Sequence, residues 1–336
     1  MTTNVERSVA APMKLRTNPD YSKSIADKAG KAGTPEKTKG VFEAFTLLLV
    51  VGTLLAGSTV VARMAPAAGW SSLPLLQWSL LLAATLQAAV IWGRRSGSAS
   101  SGTTAAENRA SLVRYMLVSG ILFAVPNAIA FTAVLHVGAG FVALCFAFPL
   151  VLTYALAVSF RLEVVKGRRI AGVVLGVLGG IAMVAGGLAS SPGNLFWALA
   201  ALSMPVIIAL GNIYRTLYWP EGAQPELLSS GMMGAGFLVL VPVTLALGQA
   251  ALPSDGLTLF ASALLALQTG QFTLLYALYF RLQKLAGPVF LSQIGSVAAV
   301  AGLILAFVLF GEVPDLAKLI AVALVGAGIA LVSGRR

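Results

Sequence analysis

LHVGAGFVAL (residues 135–144) and KLAGPVFLSQ (284–293) stand 149 residues apart, and reading them as copies decides the fold. The alignment pairs Gly138 with Gly287 and Phe141 with Phe290, and the same offset pairs Glu163 with Glu312 and Gly179 with Gly328. Each motif lies where two apolar stretches meet across a turn of a few residues. Outward from these turns the chain reads as ten apolar stretches, at 42–65, 71–92, 112–136, 139–161, 168–188, 194–216, 227–248, 257–281, 288–310 and 315–333. Each approaches the roughly 20 helical residues needed to cross about 30 Å of hydrocarbon. Five per copy is an odd number, so the second copy must insert upside down relative to the first. The expected fold is an all-α integral membrane protein with ten transmembrane helices, built as two inverted five-helix repeats. Residues 41–190 and 191–336 form the repeats, behind a basic tail at 1–40.

Composition agrees with a lipid-facing exterior. Hydrophobic residues make up 58% of the chain and charged ones 10%, against the roughly one quarter that covers a soluble surface. The apolar runs are continuous rather than alternating, which excludes a membrane-spanning barrel. The net charge of +11 does not point to nucleic acid, because the cations fall in the tail and in alternate loops. With the N-terminus cytoplasmic, 21 Lys and Arg lie inside, Arg215 among them, and only Arg63 and Lys318 lie outside. That bias places both termini in the cytoplasm of a multi-pass inner (plasma) membrane protein of bacterial type. Residues 1–40 contain no apolar h-region, so no cleaved signal is expected. They read as a disordered tail, either simply solvated or drawn to anionic headgroups. Cys145, the single cysteine, cannot form an intrachain disulfide and reads as a packing residue.

Polar side chains inside apolar spans need a partner or a cavity. Gln268, Gln271, Tyr276 and Tyr279 share one broad face of the eighth span, with Phe272 among them. Asn127 in the third span is the repeat partner of Tyr276, so equivalent places in both halves are polar. Tyr154 in the fourth span and Gln293 in the ninth extend the candidate substrate-binding set. All of these residue types also serve as interhelical hydrogen-bond partners. Pro126 and Pro149 are candidate hinges, because proline removes one bond from the helical ladder. His136 reads as an interfacial residue or a proton sensor, and Arg63 as an anion attractor or a snorkelling side chain. Gly172-xxx-Gly176 invites close helix packing, inside the chain or across a dimer.

The chain resembles the EamA-type transporters of the drug/metabolite transporter (DMT) superfamily over roughly residues 45–333. The resemblance rests on the VGAGF turn (137–141), its echo AGPVF (286–290), the glutamates closing SFRLE (159–163) and LFGE (309–312), and AGSTVVAR (56–63) in the first span. Ala56 stands where the family commonly has Trp, and Gln77 and Trp78 stand where it often has Arg. The resemblance implies an inner-membrane carrier of small organic solutes, often an exporter, with a central pocket shared by both halves.

The function expected is therefore secondary, ATP-independent transport by alternating access, exporting or exchanging amino acids or related zwitterionic or neutral metabolites. No Asp, Glu or His stands at mid-span, so a facilitator or exchanger is the simplest reading. A non-transporting membrane sensor or assembly subunit is the alternative. An enzyme is not expected, since one histidine and scattered carboxylates build no catalytic cluster. No cofactor or metal is expected. The partners are a small-molecule substrate and the bilayer, and the sequence leaves monomer or homodimer open.

Overall fold

A computed structural model describes residues 35–95, 106–160, 167–190, 195–313 and 316–333. Glu163, Asp315, the tail before Pro35 and most of the linker after Arg95 lie outside the described residues. The chain divides into Met1–Gly40 and one compact unit, Val41–Arg336.

The described residues are helical, with no strand among them. In chain order the helices are α1 (Pro35–Met64), α2 (Ser72–Arg95), α3 (Ala106–Val137), α4 (Ala139–Cys145), α5 (Pro149–Ser159) and α6 (Gly167–Ser190), then α7 (Leu195–Leu217), α8 (Pro225–Ala246), α9 (Leu259–Leu291), α10 (Ile294–Phe310) and α11 (Leu316–Ser333). Among the described residues, eight stretches are long and apolar enough to cross a membrane: Phe42–Met64, Ser72–Arg94, Arg109–Val137, Ala139–Ser159, Leu195–Leu217, Pro225–Ala246, Leu259–Ala286 and Pro288–Phe310. The further stretches expected at 168–188 and 315–333 are helical as α6 and α11, which pack on one another. Large apolar side chains stay exposed around the bundle, among them Leu86, Val174, Ile181, Leu199, Leu238, Ile304 and Val308. Apolar exposure on so many helices is what a lipid solvent permits and water does not.

Two breaks position the interior. Gly138 ends α3 with φ 84° and ψ 161°, a conformation open essentially to glycine alone. The expected fourth span is two helices, because the chain leaves the α-ladder at Phe146–Phe148 and restarts at Pro149. Proline is well placed there, since the first residue of a helix has no ladder bond to lose. Pro149 thus begins α5 rather than bending a continuous helix.

The second turn departs from expectation. Residues 284–290 are not a turn; α9 carries its helix through Gly287 and Pro288 to Leu291. The Pro288 carbonyl accepts from the Ser292 backbone N–H at 3.0 Å and from its hydroxyl at 2.6 Å, which closes the helix four residues later. The two copies of one motif therefore adopt different conformations.

Small residues set the closest approaches. A Cβ on Gly295 would stand 1.5 Å from the Phe146 carbonyl oxygen, so the start of α10 lies against the α4–α5 break. A Cβ on Gly328 would stand 2.7 Å from the Gly172 oxygen. The Gly172-xxx-Gly176 face thus packs within the chain, against α11.

The candidate substrate cavity

A partly open cavity of about 70 Å³ lies midway along the bundle. Its wall is drawn from α1 (Val51, Leu55), α3 (Leu122, Phe123, Pro126, Asn127), the α4–α5 break (Phe146, Pro149), α7 (Ile208, Asn212, Arg215), α8 (Met232), α9 (Leu275, Tyr276, Tyr279, Leu291) and the α9–α10 junction (Ser292, Ile294, Gly295). Both halves of the chain contribute. No acidic side chain is among these lining residues.

One polar cluster dominates the wall. Asn212 and Arg215 lie three apart on α7, and Tyr276 and Tyr279 three apart on α9, so each pair shares a helix face. Arg215 is only 4% exposed. Its Nη2 donates to Asn212 Oδ1 at 2.9 Å and to the Tyr279 hydroxyl at 3.0 Å. The Tyr279 hydroxyl in turn donates to Asn212 Oδ1 at 2.5 Å, and the Arg215 guanidinium lies over the Tyr279 ring, 5.5 Å from its centre. Gln283 adds a bond from α9 to Thr216 on α7 at 3.2 Å. The Arg215 Nε is buried with no hydrogen-bond partner. Above this cluster the wall turns aromatic, with Phe123 edge-on to Tyr276 at 4.7 Å. Asn127 stands at the far side of Tyr276, its amide donating to the Phe123 carbonyl at 2.8 Å.

Of the residues the sequence singles out, Asn127, Tyr276, Tyr279, Pro126 and Pro149 come together on the cavity wall. The others do not join them there. Gln268 is fully buried, with both amide atoms unpaired. Gln271 packs against α1, its Nε2 only 2.6 Å from where a Cβ on Gly57 would be. Tyr154 is buried beneath Arg169, which lies 5.1 Å over its ring, beside Val158, Val173 and Val289. Gln293 precedes α10 as its N-cap without a side-chain capping bond.

Sequence reasoning missed Arg215. As the next-to-last residue of the apolar stretch 194–216, it counts as a topology marker for the inner face. The readable signal was its spacing from Asn212, which puts two polar groups on one turn inside a span.

The end of the bundle away from Arg215 is tied together by polar contacts. The Glu312 carboxylate accepts from the backbone N–H of Ala139 at 3.0 Å and of Gly140 at 2.9 Å, satisfying two of the groups a helix start leaves open. Arg63 lies 4.0 Å from Glu312 and donates to the Leu135 carbonyl at 3.3 Å. Arg63 thus ties the ends of α1, α3 and α10 together. A second tie joins Ser254 N–H to the Gly69 carbonyl at 3.0 Å. His136 stacks flat on Trp197 at 4.4 Å. At the opposite end Arg281 pairs with Glu43, and Tyr115 reaches the Arg215 carbonyl at 3.4 Å. On the Arg63 side of the cavity, Asn127 and Phe146 pack toward Ser58, Thr59, Ala62 and Phe131.

No protein-family profile and no curated protein matches this chain. A solved structure described only as a protein superposes with a TM-score of 0.59 at 17% identity, over 88% of this chain and 97% of its own. At that identity the likeness is one of fold alone.

Proposed function

We propose that this protein is a secondary carrier of small organic solutes, of the drug/metabolite type its sequence resembles, working by alternating access. The reading takes ten spans in two inverted five-helix repeats within an inner membrane, both termini cytoplasmic. The observation that carries it is the cavity, which is central, walled by both halves and built around a buried polar cluster.

Packing supports the repeat. The contact of α3 with α8 has its repeat counterpart in α9 with α2, while α2 with α8 and α6 with α11 each join a helix to its own counterpart. Helix ends also sort as inverted copies would, with Arg63, Ala139 and Glu312 meeting at one end and Glu43 pairing with Arg281 at the other. The differing conformations of the two repeated turns support alternation. A two-state carrier has one gate closed and the other relaxed at any moment, and near-identical halves exchange those roles at little energetic cost.

The cavity wall lacks a carboxylate, so no proton-binding group of that kind stands in the path, and facilitated diffusion or exchange follows. Counterflow in proteoliposomes loaded with amino acids and organic acids tests this. Uptake is expected with and without an imposed pH gradient. Strict dependence on the gradient overturns the uncoupled mechanism, and no flux of any solute overturns the carrier.

A further inference from the structure

We infer that the Arg215 end of the cavity is a carboxylate-binding half-site, and that the solutes it admits are small organic acids carrying an aromatic or aliphatic body and a net negative charge. The inference rests on the carrier reading and narrows it to a substrate class.

Arg215 carries the argument. A guanidinium keeps its charge in any protein environment, and a buried charge is tolerated when paired. Yet the ion pairs among the described residues are Arg63 with Glu312 and Arg281 with Glu43, neither of which reaches Arg215. Its oxygen partners, Asn212 and Tyr279, are neutral. They hold Nη2 and fix the plane of the group. The remaining N–H groups find no oxygen: Nε has no partner, and the contact of Nη1 is the Met232 sulfur at 3.9 Å. Arg215 lines the cavity as a positioned cation whose oxygen partners are all neutral, and it lacks only an anion.

The rest of the wall selects what the anion is attached to. Beyond Arg215 it is mostly Leu, Val, Ile, Phe and Tyr, which favours an apolar body. With no acidic lining residue, an ammonium group near Arg215 meets like charge and finds no counterion. That departs from the zwitterionic or neutral solute expected from sequence. Carboxylate suits the guanidinium through charge-assisted hydrogen bonds, and the Tyr276 ring and Phe123 lie where a substrate's apolar body would extend.

The test uses three molecules of one shape: 3-phenylpropionate, its amide 3-phenylpropionamide, and phenylalanine. Binding is measured on the full chain in lipid nanodiscs at neutral pH. The acid is expected to bind wild type at least tenfold tighter than the amide, with phenylalanine weaker than the acid. Arg215→Gln should remove the acid's advantage over the amide, and Arg215→Lys should keep part of it. The wild-type comparison stands even if the variants fail to fold. Equal binding of acid and amide overturns the half-site, as does acid binding that survives Arg215→Gln or no acid binding at all. Counterflow separates this from the carrier reading. Flux blind to charge overturns only the half-site, whereas tight acid binding without flux of any solute overturns only the carrier.

Discussion

Tyr279 is the residue on which the polar cluster turns, because its hydroxyl accepts from Arg215 and donates to Asn212. Removing that oxygen costs Arg215 one of its two oxygen partners and leaves a charged donor unsatisfied. Tyr279→Phe is expected to weaken solute binding several-fold and to lower thermal stability by the equivalent of about 1–3 kcal/mol, read by melting and by ligand titration. Unchanged affinity would show that the cluster does not touch the solute. At this scale the sequence is informative where polarity is out of place: Asn127, Tyr276 and Tyr279 stand out in apolar spans and do line the cavity. It is uninformative where position imitates something ordinary. Arg215 sits where snorkelling arginines sit, and only its contacts reveal a buried cation. Gln268 fails in the opposite direction, since an unpaired buried amide signals polarity without saying which way it faces.

At the scale of elements, the α3–α4 junction is held by Glu312 and by the backbone freedom of Gly138. A Cβ on Gly138 would lie 2.9 Å from the Glu312 carboxylate as well as straining the backbone. Glu312→Ala strips two backbone N–H groups of their acceptor and removes the partner of Arg63. It is expected to loosen this end and raise the reactivity of a cysteine placed at His136 toward membrane-impermeant reagents. No change in reactivity would mean that Glu312 is not part of a gate. The paired motif predicted two similar turns, and the chain makes one break and one continuous helix. The reason is local chemistry: Gly138 stands in a conformation other residues avoid, while the carbonyl of Pro288 is satisfied by Ser292. The equivalence also has a limit readable in the residues. Pro288 stands where Ala139 stands in the first copy, so the second copy offers one N–H fewer to a capping glutamate.

At the scale of the whole molecule, the run of apolar stretches made helices and lipid exposure legible from composition and length alone. Packing was less legible. Nothing in the hydropathy says that α3 meets α8 and α7 or that α6 pairs with α11, although the small residues at those contacts mark where close approach is possible. The cavity draws its wall from α1, α3, α7, α8 and α9 and from the two helix junctions, so no one span specifies it. The inverted arrangement is also the part of the account most open to direct test. With Cys145 replaced by alanine, single cysteines at His136 and Leu285 are labelled in sealed, oriented vesicles with an impermeant maleimide. The account predicts that the cysteine at 136 reacts from outside and the one at 285 only after the inner face is exposed. Reaction of both from the same side would contradict the inverted repeat and the alternating cavity built on it.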